Sequence, residues 1–340
     1  MAAVSLIGLD IGSASIRAVE TSRGKDGPVV TNSAQALLPP GAVQGGAIAD
    51  DKAVTLALKQ MWTAARFRHR DVVLGVTNPQ VVVREMTVSN LPDRELRRSL
   101  PFQVRDALPL GVERSLLDFY PLENPGSNPT VRGLLIAAPK DAVLAAVHAI
   151  ERAGLHVARV DLASFALLRA ASRLDANIEA IIDIGAQVTS VVVHADGVPL
   201  IVRTVPRGGA EITDLIASRL GATPAEAESL KCRIGLHAER GPETAEVIRE
   251  AVRPLISEIR SSFAYLTSGE RRSQVSRLAL SGGGSLLPGL VEALSSQLQV
   301  EAVLADPAIR LRRPPHRGYG SLEQFRSSAA VSVGLALGAA

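Results

Sequence analysis

The sequence predicts a duplicated α/β fold with a ligand cleft between two similar halves. Residues 8–17 (GLDIGSASIR) and 181–190 (IIDIGAQVTS) share Asp-Ile-Gly, and each copy lies between an apolar run and a second β-rich run. Strand and helix patterns are mixed in both halves of the chain. A third stretch, residues 281–290 (SGGGSLLPGL), places three glycines directly after a short apolar strand.

Composition limits the class of protein. A chain of 340 residues with 46% hydrophobic residues has room for about two domains with full cores. The single Cys232 excludes an intramolecular disulfide framework, favours a reducing compartment such as the cytoplasm, and is expected to be a buried small residue. The N-terminus reads as a strand and not as a signal peptide, and no apolar window is long enough to cross a membrane.

The charge pattern argues against a nucleic-acid surface. Net charge is only +3, and six Phe, three Tyr and one Trp offer few stacking groups. Basic clusters are expected to be solvated faces, although one of them could contact an acidic partner or phospholipid head groups. They lie at Arg66 to Arg70, Arg94 to Arg98, Arg271 to Arg277, and Arg310 to Arg317.

The first half is predicted to span residues 1–175. After the first hairpin we expect a polar loop, and then a helix over 50–67 that Asp50 or Asp51 caps. Residues 86–160 differ from the rest of the half in their pattern of strands and helices, which predicts an inserted α+β subdomain in β-α-β-β-α-β order.

The second half, residues 176–340, opens with the second hairpin and a tight Asp196-Gly197 turn. A helical region is expected over about 207–275, a helix beginning near Leu286 after the glycines, and a small-residue helix over Ser327 to Ala339.

The two hairpins suggest a specific chemistry. Asp10 and Asp183 end the first strand of each hairpin. Two such turns facing each other can bind a polyphosphate through backbone N–H groups, while the carboxylates hold Mg²⁺, largely through waters. The alternative is two ordinary hairpins that share Asp-X-Gly. The glycine run is neither a Walker loop nor a dinucleotide fingerprint, since it lacks both the Gly-Lys-Ser/Thr and the G-X-G-X-X-G spacing.

In this order, GLDIGSASIRAV, IIDIGAQVTSVVV and LALSGGGSLLPGL resemble the two phosphate loops and the adenosine loop of the superfamily of actin, DnaK-type chaperones and sugar kinases. The segment VPRGGAEITDLIASRL with AEAESLKCRIG resembles the bacterial FtsA and PilM branch. The segments LPDRELRRSLPFQVRDALPLGVERSLLDFYPL and VDLASFALLRA are similar to the PilM family, the cytoplasmic actin-like components of type IV pilus inner-membrane platforms.

This resemblance implies an actin-like ATPase fold with ATP or ADP and Mg²⁺ in the cleft, and with Asp10 and Asp183 near the metal. The residues implied around the phosphates are Gly12, Ser13, Ala14, Ser15, Gly185, Gln187, Thr189, Gly208 and Gly209. Those implied around the nucleoside are Glu228, Lys231, Gly282, Gly283, Gly284, Ser285 and Leu286. Glu228 and Lys231 are spaced i, i+3, so a simple surface ion pair is the alternative.

No catalytic residue is predicted. The superfamily usually carries an acid or Gln near the start of the helix that links the halves, and this position matches Ala163, with Asp161 as the nearest carboxylate. We therefore expect nucleotide binding with slow or negligible hydrolysis.

The expected partner is the cytoplasmic N-terminal peptide of a PilN-like inner-membrane protein, bound near the inserted subdomain. Other pilus platform proteins and a homo-oligomer are further possible partners, with no nucleic acid and no direct membrane insertion. The expected location is the cytoplasm, at the inner face of the cell membrane. The alternatives are an FtsA-like cell-division filament protein, disfavoured because the chain ends without an amphipathic tail, and a sugar-type small-molecule kinase.

Overall fold

A computed structural model describes residues 6–24, 27–124, 126–175, 177–267, 274–312 and 322–338. Its strands are β1 (Ile7–Ile11), β2 (Ser15–Gly24), β3 (Gly27–Leu37), β4 (Val43–Gln44), β5 (Ala47–Ile48), β6 (Asp71–Val76), β7 (Val82–Ser89), β8 (Ser115–Pro121), β9 (Thr130–Pro139), β10 (His156–Leu162), β11 (Ile178–Ile184), β12 (Thr189–Ala195), β13 (Val198–Val205), β14 (Arg277–Ser281) and β15 (Glu301–Leu304). Its α-helices are α1 (Asp51–Ala64), α2 (Asp93–Gln103), α3 (Lys140–Arg152), α4 (Ala163–Ala171), α5 (Gly209–Leu220), α6 (Pro224–Ile234), α7 (Pro242–Thr267), α8 (Leu290–Leu298) and α9 (Ala330–Leu337).

The two large sheets repeat one topology. The first has the order β10-β6-β1-β2-β3 and the second β15-β14-β11-β12-β13. Each sheet contains a run of three antiparallel strands, β1-β2-β3 in the first and β11-β12-β13 in the second. Beyond the first strand of each run, two further strands run parallel to it: β6 and β10 beside β1, and β14 and β15 beside β11. The predicted duplicated α/β fold is confirmed.

Several elements differ from the sequence prediction. The polar loop expected after the first hairpin is mostly strand β3, whose residues pair with β2 along its whole length. The helix expected near Leu286 is a short 3-10 turn, Gly283–Leu286, and α8 begins only at Leu290. Pro288 and the positive φ of Gly289 (82°) separate the two. The final helix is α9, and residues 339–340 lie outside the described ranges.

The β-α-β-β-α-β unit expected over 86–160 is divided in the structure. Strands β7, β9 and β8 form a separate sheet in that order, and α2 packs on it. Helix α3, in contrast, packs against α1, and β10 joins the first large sheet beside β6. The inserted sheet has its own small core, centred on Val88, Leu100 and Leu135.

The two large sheets and their helices stack as five layers. Helices α1 and α3 cover the outer face of the first sheet, and α5, α7 and α8 cover the outer face of the second. Between the two sheets lie α4 and α9, whose small residues pack against strands of both. The middle layer is tight: a Cβ on Gly334 of α9 would lie 1.8 Å from the carbonyl oxygen of Ala166 in α4.

A buried ionic network closes the end of the second sheet where β11 begins. Nε of Arg277 lies 2.7 Å from Glu179, which also accepts a hydrogen bond from His194 at 3.0 Å. Glu179 and His194 have no exposed surface and Arg277 has 8%. The prediction of a solvated basic face is therefore wrong at Arg277, while residues 271–273 and 313–317 of the predicted clusters lie outside the described ranges.

Candidate functional site

Asp10 and Asp183 occupy equivalent places in the two hairpins. Asp10 pairs with Arg17 across the first hairpin, and Asp183 pairs with Ser190 across the second. Side chains alternate along a strand, so Asp10 is on the same face as Gly8, which contacts α9. Asp183 is likewise on the face of Ile181, which packs in the middle layer. Both carboxylates therefore point into the space between the halves, where that layer ends.

Burial sets the ionisation of this pair. Burial, together with the nearby charge of Asp10, raises the pKa of Asp183 to about 6, although the hydrogen bond from Ser281 and the charge of Arg17 act in the opposite direction. Burial also raises the pKa of Asp10, opposed by Arg17, whose Nη1 lies 3.1 Å from its Oδ2. Two carboxylates that are removed from water and repel each other are stabilised by a cation.

The turns of the two hairpins form opposite walls of one cleft. In each, the glycine N–H closes the turn, from Gly12 to the oxygen of Ser15 at 3.0 Å and from Gly185 to that of Val188 at 2.9 Å. The cleft between them is open to solvent and contains roughly 560 Å³ of space, part of which is open solvent. Of the predicted residues, it brings together Asp10, Gly12, Ser13, Ala14, Asp183, Gly185 and Gln187.

Two predicted phosphate residues lie behind these turns. Ser15 is 2% exposed, and its hydroxyl accepts a hydrogen bond from Gln35 at 3.1 Å. Thr189 is fully buried and donates to the carbonyl oxygen of Arg207 at 2.8 Å. Both side chains fix the hairpins from behind instead of lining the cleft.

Gly208 and Gly209 support the second hairpin. The N–H of Gly209 donates to the oxygen of Gly185 at 2.9 Å, and that of Ala210 donates to the oxygen of Ala186 at 2.7 Å. A Cβ on Gly208 would lie 2.4 Å from the oxygen of Gly185, so only glycine allows this approach. The first N–H groups of α5 thus hold the turn of the second hairpin in place.

Glu228 and Lys231 form more than a surface pair. Lys231 is 13% exposed, and its Nζ donates to Glu228 at 2.6 Å, to the hydroxyl of Thr213 at 2.8 Å and to the oxygen of Gly209 at 3.1 Å. Thr213 in turn donates to Glu228 at 2.6 Å. Burial alone would raise the pKa of Glu228, but the hydrogen bonds from Lys231 and Thr213 outweigh it and lower the pKa. The network joins α6 to the start of α5, beside Gly209.

The glycine run follows β14, next to the end of β11. Gly282 has a φ of 84°, and a Cβ there would lie 2.3 Å from the oxygen of Ile184. Gly284 is equally close, with Cγ2 of Ile184 at 2.4 Å from its Cβ position, and the hydroxyl of Ser285 is used locally on the oxygen of Gly282. Gly283 has nothing within 4 Å of its Cβ position, so its backbone faces open space. Leu286 is 55% exposed.

The start of α4 holds no free carboxylate. Ala163 is 1% exposed and belongs to the core between the two sheets. Asp161 is bound to Arg169 and accepts from the N–H of Leu162 at 2.7 Å. The side chain at position 163 thus lies in packed core and does not line the cleft between the hairpins.

A second groove lies between the inserted sheet and the part of the first half formed by β10 and α4. Leu116 and Leu117 of β8 form one wall, while Val160 of β10 and Phe165 of α4 form the other. It holds roughly 730 Å³ of space. Leu116 is 38% exposed and Val160 42%, so apolar surface lies open along its length.

One protein family matches this chain over nearly its whole length. A family model described as Type IV pilus assembly protein PilM matches residues 8–340. The chain belongs to the PilM family. It is similar to a solved "PilM-PilN type IV pilus biogenesis complex", with 28% identity and a TM-score of 0.87 over 99% of both chains.

More distant relatives share the fold. EutJ from Carboxydothermus hydrogenoformans is 17% identical with a TM-score of 0.58, and covers 98% of this chain and 89% of its own. The actin-like MreB5 of Spiroplasma citri, solved with ADP, is 15% identical with a TM-score of 0.54 over 97% and 94%. The Cell division protein FtsA of Bacillus subtilis is 27% identical over 218 residues, 57% of this chain. The match spans about half of that relative's length (49%). The fold is therefore the actin-like one expected for the PilM family.

Sequence reasoning missed three contributors to the cleft. Arg17 lies beside Asp10, and its Nε is buried without a hydrogen-bond partner among the described residues. Thr213 links Glu228 with Lys231. The N–H of Gly45, in the turn between β4 and β5, donates to Oε1 of Gln187 at 2.8 Å and so joins the two halves across the cleft. Two features of the sequence could have indicated these residues. The hairpin register places Arg17 opposite Asp10, and the Gly45-Gly46 dipeptide is typical of a turn.

The residues present fit Mg²⁺ and a nucleotide. Within the described ranges no three His, Cys, Asp or Glu side chains meet as a metal site, so the carboxylate pair would need ligands from elsewhere. Nucleotide phosphates and waters are the usual ones for Mg²⁺. The buried Nε of Arg17 is suited to an anion, and the open backbone of Gly283 is suited to a flat base.

Among the residues that the structure describes, no helix is long and apolar enough to span a membrane.

Cys232 corrects one further expectation. It is exposed, not buried, on α6, with its Sγ 3.5 Å from Oε1 of Glu228. Partial desolvation of the sulfur and the nearby Glu228 carboxylate raise the pKa of its thiol, so it stays protonated near neutral pH.

Proposed function

We propose that this protein is a nucleotide-dependent scaffold of type IV pilus assembly. In it, Mg²⁺-ATP joins the two halves, and the joined form presents a docking groove for a PilN-like partner. The observation that supports this most directly is the pair Asp10 and Asp183. They lie at equivalent positions of two equivalent hairpins and point into one cleft beside Arg17. In the proposal the halves are residues 1–175 and 176–340, with an inserted subdomain within 86–160 and a helical one within about 207–275.

Each group in the cleft has a distinct task. The N–H groups of the turns at Gly12 to Ala14 and at Gly185 to Gln187 donate to phosphate oxygens. Arg17 supplies positive charge, and Asp10 and Asp183 hold the metal. When bound, Mg²⁺ neutralises phosphate charge. Lys231 and Glu228, oriented by Thr213, hydrogen-bond the nucleoside, while Gly283 lets the base approach the backbone.

Hydrolysis is slow in this proposal. Fast phosphoryl transfer needs a group that orients the attacking water. Ala163 is buried and apolar, and Asp161 is engaged by Arg169 and Leu162. The same engagement disfavours the sugar-kinase alternative, which needs a free catalytic carboxylate at the substrate.

The partner surface is the groove lined by Leu116, Leu117, Val160 and Phe165. The related complex contains PilN, and the groove offers partly exposed apolar walls against which a short segment can pack. We assign this groove to the cytoplasmic N-terminal peptide of a PilN-like inner-membrane protein. Such a tether would hold a cytoplasmic protein at the inner face of the membrane.

The nucleotide site is tested by calorimetry with Mg²⁺-ATP and Mg²⁺-ADP. Asp10→Asn and Asp183→Asn should each lose measurable affinity while keeping the far-ultraviolet circular dichroism of the parent. Asp214→Asn, on the exposed face of α5, is the matched control and should bind normally. Undiminished affinity in either cleft variant would refute the site.

The groove is tested with a synthetic peptide of the partner's N-terminus. Val160→Asp should abolish binding, because it introduces a charge into the apolar wall. Leu304→Asp, at a residue exposed to a similar degree (50%) and remote from the groove, is the control. A non-hydrolysable ATP analogue should support peptide binding as well as ATP does. Peptide binding that requires turnover would remove the scaffold mechanism.

A further inference from the structure

The outer face of α2 in the inserted subdomain combines positive charge with an exposed aromatic ring. Phe102 is 81% exposed, the highest value among the large apolar side chains of the described residues. Arg94, Arg98 and Phe102 follow at four-residue spacing, so they lie on one face of the helix. Arg105, in the 3-10 turn after the helix, continues the row.

The fold does not need this face. The opposite side of α2 supplies the contacts that attach it to the inserted sheet, with Leu100 1% exposed and Leu96 partly buried against the same core. Phe102 belongs to none of the buried clusters among the described residues. A large apolar side chain left in water contributes nothing to folding, and such residues often mark contact surfaces.

The arginines of the row are not neutralised locally. Arg94, Arg98 and Arg105 make no ion pair or hydrogen bond within the described ranges, although all three are exposed. Three acidic residues lie nearby and are also exposed: Asp93, Glu95 and Asp106. The first two occupy the first turn of α2, where the helix dipole balances negative charge. The row itself therefore stays positive.

We propose that this row, Arg94, Arg98, Phe102 and Arg105, docks the inserted subdomain onto a membrane surface rich in anionic phospholipid. The arginines contact lipid phosphates, and the ring of Phe102 enters the head-group region. No helix crosses the bilayer in this contact, which is peripheral and reversible.

The shape of the face selects a membrane over an acidic peptide. The row is the outer side of a helix, and none of its members lines the groove beside Phe165 or the pocket beside Lys140. Peptides that are recognised through their backbone or their apolar side chains use a free sheet edge or a groove, and the exposed ring of Phe102 lies in neither, whereas a lipid surface is broad and deformable. Charge complementarity with anionic head groups supplies the attraction.

This surface is adjacent to the groove proposed for the PilN-like peptide. Arg97, on the flank of the same helix, lines that groove and lies 3.6 Å from Asp118. A tether in the groove and a lipid contact beside it would act together, since the first raises the local concentration for the second. The lipid contact rests on α2 alone and does not require the nucleotide site or the peptide.

The test is sedimentation of the full chain with vesicles of phosphatidylcholine alone or with about one third phosphatidylglycerol. The parent should bind the anionic vesicles, and raised salt should release it, because the screening length shortens to about 3 Å at 1 M. Each arginine is worth ~1 kcal/mol at an anionic surface, so Arg98→Ala should weaken binding about fivefold. Phe102→Ser should weaken it as well.

Matched controls separate a specific face from general basicity. Arg253→Ala removes an exposed arginine of α7, and Leu304→Ser removes an exposed apolar side chain of the second sheet. Both should bind as the parent does. A Phe102→Trp variant should show blue-shifted emission with anionic vesicles. Absence of that shift, equal loss in the controls, or parental vesicle binding by Arg98→Ala would overturn the proposal, as would a face that binds only an acidic peptide.

Discussion

Replacing Asp183 by Asn tests the electrostatics of the cleft without any ligand. The folded protein holds the pKa of Asp183 near 6, against an ordinary value of 3.8. That difference corresponds to ~3 kcal/mol at ~1.4 kcal/mol per pKa unit. Because the side chain is only half-buried, solvent screening reduces it, and we expect ~1–2 kcal/mol.

The direction of the effect depends on pH. A carboxyl with a raised folded-state pKa contributes stability that is fully present below its unfolded pKa and is lost as the pH rises through about 6. Above that pH the empty protein carries the cost of a desolvated charge. Asp183→Asn removes this cost, so it should be more stable than the parent at about pH 7.5, with the gain vanishing near pH 4.

Urea unfolding of the nucleotide-free protein at several pH values measures this difference. Asp214→Asn, at an exposed carboxylate, should show no pH-dependent gain. The same Asp183→Asn protein should fail to bind Mg²⁺-ATP, so the site would gain stability as it loses function. A variant that is less stable than the parent at neutral pH, or whose gain does not change with pH, would refute the reasoning.

Three further predictions concern the nucleoside end and turnover. Gly283→Val should fold normally, because nothing lies within 4 Å of the Cβ position, yet lose ATP affinity in calorimetry; normal affinity would make the glycine run only a turn. Thr213→Val should weaken ATP binding about tenfold by freeing Glu228 and Lys231, whereas Thr213→Ser should restore it. Phosphate release from ATP should stay far below ~1 per second in the parent, and faster hydrolysis would point to an enzyme. Ala163→Glu should lower the melting temperature, because it buries a carboxylate, and should not raise the rate of ATP hydrolysis.

The sequence predicted the hairpins well because their information is local. Asp-Ile-Gly fixes both the end of a strand and the tight turn after it, and the two copies have the same register in the structure. The Asp196-Gly197 turn follows for the same reason, with φ of 50° and 82° at its two residues. The carboxylate pair at the cleft was therefore available from the residues alone.

Long-range pairing was not available in the same way. Nothing in residues 156–162 indicates that β10 returns to β6 after the inserted sheet. The polar composition of the segment that follows the first hairpin, with its Gly and Pro, predicts a loop and not strand β3. The hydrogen-bond partners of its polar residues Asn32 and Gln35 lie far away in sequence or on another strand, at Ala65 and Ser15. Likewise, the roles of Ser15 and Thr189 depend on what packs behind each hairpin.

The close contact between α4 and α9 restricts how the halves can move. With the Cβ position of Gly334 only 1.8 Å from the oxygen of Ala166, and that of Gly8 2.1 Å from the oxygen of Ser332, the middle layer has no room for residues to slip past one another. This close packing opposes sliding of one helix along the other, so in the proposed scaffold the halves would move by rotation about these two helices. A few degrees of rotation there become a larger displacement at the rim, where Gln187 meets Gly45. In the proposed scaffold, occupancy of the cleft would thus become a change of angle, which a partner that contacts both halves would detect as a change of distance.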